Sequence, residues 1–340
     1  MKKIAIVTEA DEKVASGHLM ECVVCADTFR RAGYEVLFYI NNDAADALKD
    51  RIPVPFLEYT GRIDGGSDFI GKCRQHFCDC YLFNLRKIEN VFLLNFRREI
   101  NDCKVICVDE WGHRRLDCDI IVNPMIDPYY WEYPDSCAQK FYGEKYLVLF
   151  SELAEYHKKD KVISFNLRKL VVTMGGVDPH GYSLMLAKWL PCFYCNWQID
   201  FVLGGGFQKT EEVKAALVRY PNVSVYQNIS FLYRLLYESD LVLCAGGNTL
   251  HETAAIGTPA FIFPGAEHEV RNADMFIQRG FGRKISSEQV QREEIIKILS
   301  ELEDFSVRKE MSDAGKRMID GMGAERMLDI IELMSDQKNR

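Results

Sequence analysis

Residues 241–259 read Leu241-Val242-Leu243-Cys244-Ala245-Gly246-Gly247-Asn248-Thr249-Leu250-His251-Glu252-Thr253-Ala254-Ala255-Ile256-Gly257-Thr258-Pro259. Four apolar residues run without alternation into a glycine pair, and a helical stretch, Leu250–Ile256, follows. An unbroken apolar strand of this kind is buried on both faces of a parallel sheet. A helix entered through glycines from such a strand is one unit of a doubly wound fold. The first N–H groups of that helix lack intrahelical partners and carry the positive end of its dipole. Glycines beside them let a phosphate or diphosphate come close.

The same pattern recurs along the chain. In the first half the strands are expected at Ile4–Thr8, Glu35–Ile40, Cys80–Leu85, Lys104–Asp109 and Ile120–Asn123, with helices at Met20–Ala32 and Ile88–Ile100. Gly33 is suited to a left-handed cap ending the first helix. The polar run Glu155-Tyr156-His157-Lys158-Lys159-Asp160-Lys161 reads as a linker. Strands then restart at Leu170–Met174, Ile199–Leu203, Val223–Tyr226, Leu241–Cys244 and Ala260–Phe263, with helices near Tyr182–Leu190, Thr210–Arg219, Phe231–Glu238, Leu250–Ile256 and Ala273–Arg279. The last forty residues look helical, broken at Gly321 and Gly323. The fold class expected is α/β, with two Rossmann-like doubly wound domains, 1–155 and 165–340, and ligands in the cleft between them.

Composition narrows the function. The 340 residues are 48% hydrophobic and 27% charged, with a net charge of -8, so no basic surface for nucleic acid is advertised. The apolar start, Ile4–Val7, is too short for a signal peptide, and no stretch has the length of a membrane-spanning helix. The expected location is the cytoplasm. The 12 cysteines sit mostly in apolar runs, as reduced buried thiols do. Cys22/Cys25 and Cys192/Cys195 have C-x-x-C spacing, but a zinc site wants four ligands gathered together. Packing is the simpler account of both pairs.

Two further glycine turns follow expected strands: Ser16-Gly17-His18, and Gly175-Gly176-Val177-Asp178-Pro179. Glycines at strand ends often serve only tight turns, and Asp178-Pro179 also reads as an N-cap followed by proline at the first helical position. No turn continues into Gly-Lys-Ser/Thr, and none has full G-x-G-x-x-G spacing, so P-loop and NAD chemistry are disfavoured. No metal or organic cofactor is expected. Asp117-Cys118-Asp119 forms a D-x-D but precedes a buried strand, and Lys158-Lys159-Asp160-Lys161 reads as a solvated linker.

Residues 244–259 resemble the G-G-x-T/S-x-x-E-x-x-x-x-G-x-P signature of GT-B nucleotide-sugar enzymes related to MurG. The resemblance implies that Gly246, Gly247, Asn248 and Thr249 hold a diphosphate and that Glu252 meets the ribose hydroxyls. A carboxylate on the first helical turn could accept both hydroxyls. The bland alternative is a charge that suits the helix N-terminus.

Ser16-Gly17-His18-Leu19-Met20-Glu21-Cys22 resembles the turn of PseG-type hydrolases, which act on a UDP-linked acetamido deoxysugar in pseudaminic acid synthesis. Met174–Pro179, Cys107-Val108-Asp109-Glu110 and Asp119-Ile120-Ile121-Val122-Asn123-Pro124 resemble further landmarks of that family, in order. This implies hydrolysis of a UDP-sugar at the anomeric C–O bond, releasing UDP. His18, beside Gly17, would be the general base, and Gly175 and Gly176 would help hold UDP. Imidazole chemistry suits that role, and helix capping is the structural alternative. In related folds the final helix crosses back to the first domain, and Gly323–Met334 is the stretch to do so here.

The chain departs from the family on the sugar side. Glu21 stands where the family has a basic residue, Asn84-Leu85-Arg86 where it has Asp-x-Tyr, Phe150-Ser151 where an arginine is common, and His268-Glu269 where relatives carry Asn-Gln or Gln-Gln. The rival readings are a GT-B-like glycosyltransferase with a carbohydrate or lipid acceptor, and a UDP-sugar-binding protein without turnover. An exposed apolar or basic patch on the first domain would favour the transferase.

Overall fold

The computed structural model describes residues 3–10, 17–44, 49–61, 63, 68–194, 196–286 and 290–337. Ser16 and Cys195 lie outside them. The chain forms two compact units, Met1–Ser151 with Gly321–Arg340, and Glu152–Asp320. Each is built on one parallel sheet.

The first sheet comprises β1 (Lys3–Thr8), β2 (Glu35–Asn41), β3 (Phe56–Tyr59), β4 (Cys80–Asn84), β5 (Lys104–Val108), β6 (Ile120–Asn123) and β7 (Gln139–Tyr142), ordered β3-β2-β1-β4-β5-β6-β7. Helices α1 (Gly17–Arg31), α2 (Phe69–Gln75) and α3 (Asn90–Glu99) connect its strands. Ile4, Ile6, Leu82 and Ile106 belong to one apolar cluster with Leu19, Cys22, Ala26 and Phe29 of α1. Ala5, Val7, Tyr81 and Phe83 belong to a second, with Phe69 of α2 and Phe92 and Phe96 of α3. Both faces are therefore covered, which is why these strands are apolar without alternation. Phe69 centres the second cluster, 5.2 Å from Tyr39 and 6.1 Å from Phe83 between ring centroids.

The second sheet comprises β8 (Lys169–Thr173), β9 (Gln198–Leu203), β10 (Val223–Gln227), β11 (Leu241–Cys244), β12 (Ala260–Ile262) and β13 (Arg283–Lys284), ordered β10-β9-β8-β11-β12-β13. Its unit also carries α4 (Ser151–His157), α5 (Tyr182–Phe193), α6 (Thr210–Leu217), α7 (Leu232–Glu238), α8 (Asn248–Ile256), α9 (Glu267–Gln278), α10 (Arg292–Leu302) and α11 (Phe305–Met318). In both sheets the first strand is central and the strand order reverses beside it. Such a reversal parts the loops at the carboxyl ends of β1 and β4, and of β8 and β11, where ligands bind in open α/β sheets.

Three strands escape the sequence pattern: β3, β7 and β13. They are edge strands of four, four and two residues, and edge strands carry polar residues because one side is unpaired. The run Glu155–Lys161 is not a free linker. Its first half continues α4, His157 Nδ1 lies 2.7 Å from the Ala255 carbonyl, and the Lys161 ammonium donates to the carbonyls of Tyr237 and Ser239. Just beyond it, the buried Arg308 guanidinium donates to the carbonyls of Ser164 and Phe165 at 2.9 Å.

The last helix, α12 (Gly323–Gln337), corrects the domain bounds 1–155 and 165–340. It packs with the first unit, because Ala324, Met327, Ile330, Ile331 and Met334 form a helical stripe that joins the cluster beneath α1. Cys22 and Cys25 lie in the same cluster as packing residues. Cys22, Cys25, Cys73, Cys78, Cys80, Cys103, Cys107, Cys118 and Cys244 are buried free thiols, and Cys137 is an exposed one. Among the described residues no helix is long and apolar enough to cross a membrane.

The seat of α12 is tight. A Cβ at Gly323 would lie 2.1 Å from the carbonyl oxygen of Leu147. Gly323→Ala should therefore cost about 1–3 kcal/mol by forcing the backbones apart. Gly71→Ala, in the exposed interior of α2 with nothing within 4 Å, should be neutral or stabilising by up to about 1 kcal/mol. Urea denaturation of both variants checks the contrast, and equal midpoints would contradict it.

Candidate functional site

Two glycine turns of the second unit stand at the reversal in strand order, and they differ in how their helices begin. After β8 the chain passes Gly175 (φ 75°) and Gly176 and reaches Asp178 in the left-handed region (φ 46°). The expected N-cap at Asp178 with proline at the first helical position is not what forms, because α5 starts only at Tyr182, behind Gly181. The Asp178 carboxylate still reaches that start. It accepts from the N–H groups of Tyr182 at 3.0 Å and Ser183 at 2.7 Å. A buried negative charge therefore already occupies this helix end. Gly176 is engaged too: its carbonyl accepts from Gly206 N–H at 3.0 Å. A Cβ at Gly204 would sit 2.3 Å from that same oxygen, so the glycine run 204–206 after β9 is needed for the approach. The sequence reading overlooked that run.

After β11 the situation is the reverse. Gly247 is the N-cap of α8 and, being glycine, brings no side-chain cap of its own. Asn248 and Thr249 are the first two helical residues, so their N–H groups are the open donors. Asn248 is exposed and Thr249 half-buried. Gly246 is required by close approach, since a Cβ there would lie 2.5 Å from the Glu269 carbonyl oxygen. Asn272 of α9 donates its amide to the Gly246 carbonyl, a contact with no sequence signal of its own.

Glu252 lies on the second turn of α8, not the first, and is half-buried. Burial raises its carboxyl pKa, and a hydrogen bond from Tyr233 opposes the rise. The Tyr233 hydroxyl, on α7, donates to Glu252 Oε1 at 3.1 Å, which leaves Oε2 for a second donor. Its neighbour His251 is pushed down to about 4 by burial, so it is neutral at ordinary pH and packs edge-on against Phe276. His268 and Glu269 have separate fates. His268 is exposed on the first turn of α9, whereas Glu269 Oε2 accepts from Gly265 N–H at 2.7 Å and caps the start of that helix.

In the first unit the expected base stands at the corresponding reversal. His18, the residue after Gly17 at the start of α1, has Nδ1 2.9 Å from Asn84 Oδ1 at the end of β4. Asn84 Nδ2 donates to Glu21 Oε2 at 3.0 Å. Glu110, just after β5, brings a carboxylate within 4.8 Å of both His18 and Glu21. The two family departures, Glu21 and Asn84, are thus hydrogen-bonded to each other. His18 Nδ1 and Glu21 Oε2 are both engaged by Asn84, and His18, Glu21 and Glu110 form an acid–base cluster whose ligand atoms lie close enough together to hold a metal ion. Ser151, the third departure, is exposed at the start of α4.

The landmark residues Asp109 and Asn123 do structural work. The buried Asp109 carboxylate pairs with Arg114, accepts from Gly112 N–H at 2.9 Å and accepts from Tyr133 Oη at 2.8 Å. Asn123 Nδ2 donates to Tyr133 Oη and to the Tyr130 carbonyl, each at 2.8 Å. The loops after β5 and β6 are thereby locked together, with aromatic rings on their surface. Trp111, next to Glu110, is 51% exposed, and Tyr129, whose ring centroid is 4.3 Å from that of His113, is 47% exposed. Asp117 and Asp119, the D-x-D, pair with Arg115 and Arg97 and hold no special place.

Glu21 has a measurable consequence. Burial, and then the like charge of Glu110, push its carboxyl up from 4.5 to about 7. The folded state therefore binds this proton more tightly than the unfolded chain, so the contribution is fully present below about 4.5 and is lost as pH rises through about 7. Glu21→Gln, always neutral, should gain stability relative to wild type as pH rises across that window, with a flat difference outside it. Denaturation at several pH values checks this, and a difference independent of pH would contradict it.

Residues 190–327 match the glycosyltransferase family 28 C-terminal domain, a span that includes α8 and its glycine turn. The chain is 22% identical to the spore coat polysaccharide biosynthesis protein SpsG of Bacillus subtilis, over 98% of this chain and 99% of that protein. It is 25% identical to an uncharacterised protein of Methanocaldococcus jannaschii over 76% of this chain, but it spans only 55% of that relative's length. Its structure resembles that of Acinetobacter baumannii MurG, with a TM-score of 0.67, 15% identity, and coverage of 97% and 99% of the two chains. The chain thus has the GT-B fold, two Rossmann-like α/β domains on parallel sheets, and the segment matched by family 28 covers most of the second and runs on into α12.

Proposed function

We propose that the protein is a UDP-sugar-dependent glycosyl-transferring enzyme of polysaccharide synthesis, working on its nucleotide sugar in the cytoplasm. The observation that carries this reading is the start of α8. It is a glycine-bearing, uncapped helix end within the family 28 match, with a half-buried carboxylate one turn further on. The N–H groups of Asn248 and Thr249 would take the diphosphate, with Gly247 allowing its approach and Gly246 letting the turn close against Glu269. Glu252 would accept a ribose hydroxyl at Oε2 while Tyr233 holds Oε1. Gly175 and Gly176 would line the site rather than bind phosphate, since Asp178 already occupies the start of α5.

His18 would be the base. Its Nε2 takes the proton of the acceptor hydroxyl, the acceptor oxygen bonds to the anomeric carbon, and the bond from that carbon to UDP breaks. The charge left on UDP is met by the helix amides and dipole of α8. A saccharide acceptor is favoured by the exposed rings of Trp111, next to Glu110, and of Tyr129, apolar surfaces of the kind that stack on sugar rings. The same chemistry with water as acceptor is hydrolysis, the reading that the resemblance of residues 16–22 to PseG-type hydrolases supports.

Release of UDP from bacterial UDP-sugars, with water alone and with added saccharides, tests the reading. Acceleration by a saccharide is the expected result. Equal release without any acceptor would favour the hydrolase, and UDP binding without release from any donor would favour a binding protein. His18→Asn should lower turnover by ~100-fold or more with UDP affinity unchanged. Glu252→Gln, which can still accept from Tyr233, should weaken UDP binding by about 1–3 kcal/mol. Calorimetry with unchanged UDP affinity in folded Glu252→Gln would remove the ribose role.

A further inference from the structure

The hydrogen bonds around His18 have a fixed direction. His18 and Glu21 are three residues apart on α1 and so share one face of the helix. Asn84 stands between them from the end of β4, with Nδ2 3.0 Å from Glu21 Oε2 and Oδ1 2.9 Å from His18 Nδ1. Once ionised, above its titration near 7, the Glu21 carboxylate has no hydrogen to give and selects the amide nitrogen of Asn84. The amide oxygen is thereby turned towards the imidazole. That oxygen can only accept, so Nδ1 must carry the hydrogen. In a neutral ring the lone pair is then on Nε2.

The surroundings keep this arrangement in place. Behind Glu21 and Asn84 lies a cavity of only about 10 Å³, walled by Leu82, Val108, Val122 and Met327, with Cys22, Cys25 and Tyr146 also in its lining. The charged and titratable groups that face Glu21 are Glu110 from the loop after β5, His18 from its own helix, and the buried thiols Cys22 and Cys25. Cys22 is itself hydrogen-bonded to the Asn84 side chain.

We propose that Glu21 is a positioning residue which, through Asn84, fixes the neutral His18 ring as the Nδ1–H tautomer and so makes Nε2 its basic nitrogen. The consequence for turnover rests on His18 being the base, but the tautomer does not. A glutamine at position 21 can either donate or accept, so it would let the Asn84 amide turn over and present its nitrogen to Nδ1. The ring would then exchange to the Nε2–H form. A leucine at position 84 would keep the side-chain volume against the apolar wall and remove the choice altogether.

The test is nitrogen NMR of the full-length protein labelled with ¹⁵N-histidine, at a pH well above the titration of Glu21, with the His18 ring assigned by its loss in His18→Asn. In the wild type the His18 signal should be that of a ring protonated at Nδ1. Glu21→Gln and Asn84→Leu should both lose that preference, with a mixture of tautomers or the Nε2–H form. A wild-type ring protonated at Nε2 would overturn the proposal, as would an unchanged Nδ1–H signal in folded Glu21→Gln. Parallel UDP-release assays separate the two claims. If the wild type has the Nδ1–H ring but turns over no UDP-sugar, the functional reading fails and the positioning role stands. If turnover is present, Glu21→Gln should lower kcat in proportion to the Nδ1–H population lost, with KM for the donor unchanged.

Discussion

In the second unit two helices start at the carboxyl ends of adjacent strands, and only one of them has its first amides satisfied from within the chain. Asp178 closes the start of α5, while α8 begins at Gly247 with no side-chain cap. Unsatisfied amides at a helix start must find an acceptor, whether water or ligand. The reversal of strand order sets both starts side by side, and the chain fills one with its own carboxylate. The proposed nucleotide site rests on that difference rather than on the number of glycines.

The first unit repeats the geometry with different chemistry. There the reversal between β1 and β4 gathers side chains instead of amides: His18, Glu21, Asn84 and, from the next strand end, Glu110. Two carboxylates so close to each other and partly buried repel, which favours holding a proton between them at neutral pH. A donor amide wedged against one of them gives the cluster its direction. The aromatic loops after β5 and β6 are braced by Asp109, Asn123 and Tyr133, so Trp111 and Tyr129 are exposed on a rigid support.

Much of this architecture was legible in the sequence, and the losses have physical causes. Central strands such as β5 and β11 announce themselves because both faces are buried. Edge strands β3, β7 and β13 do not, because half of each is solvated. The role of the glycine turn at Gly246-Gly247 could be read locally, but the occupancy of the other turn could not. Asp178 reaches a helix that starts four residues later, through a left-handed backbone conformation that residue type alone does not dictate. Tyr233 gives no signal, since its partner Glu252 lies on the next helix. Asn84 and Glu110 were legible as a family departure and as part of a landmark but not as neighbours of His18, although each is the polar residue at or just past the end of a run of apolar strand residues beside the reversal. The polar run at 155–161 misleads because its first half continues a helix and Lys161 reaches back to carbonyls instead of solvent.

The most direct test is amide NMR of the protein titrated with UDP. The account predicts that the N–H resonances of Asn248 and Thr249 shift and gain protection from exchange on binding. Those of Tyr182 and Ser183, already bonded to Asp178, should stay put. Perturbation of Tyr182 and Ser183 with Asn248 and Thr249 unmoved would contradict it.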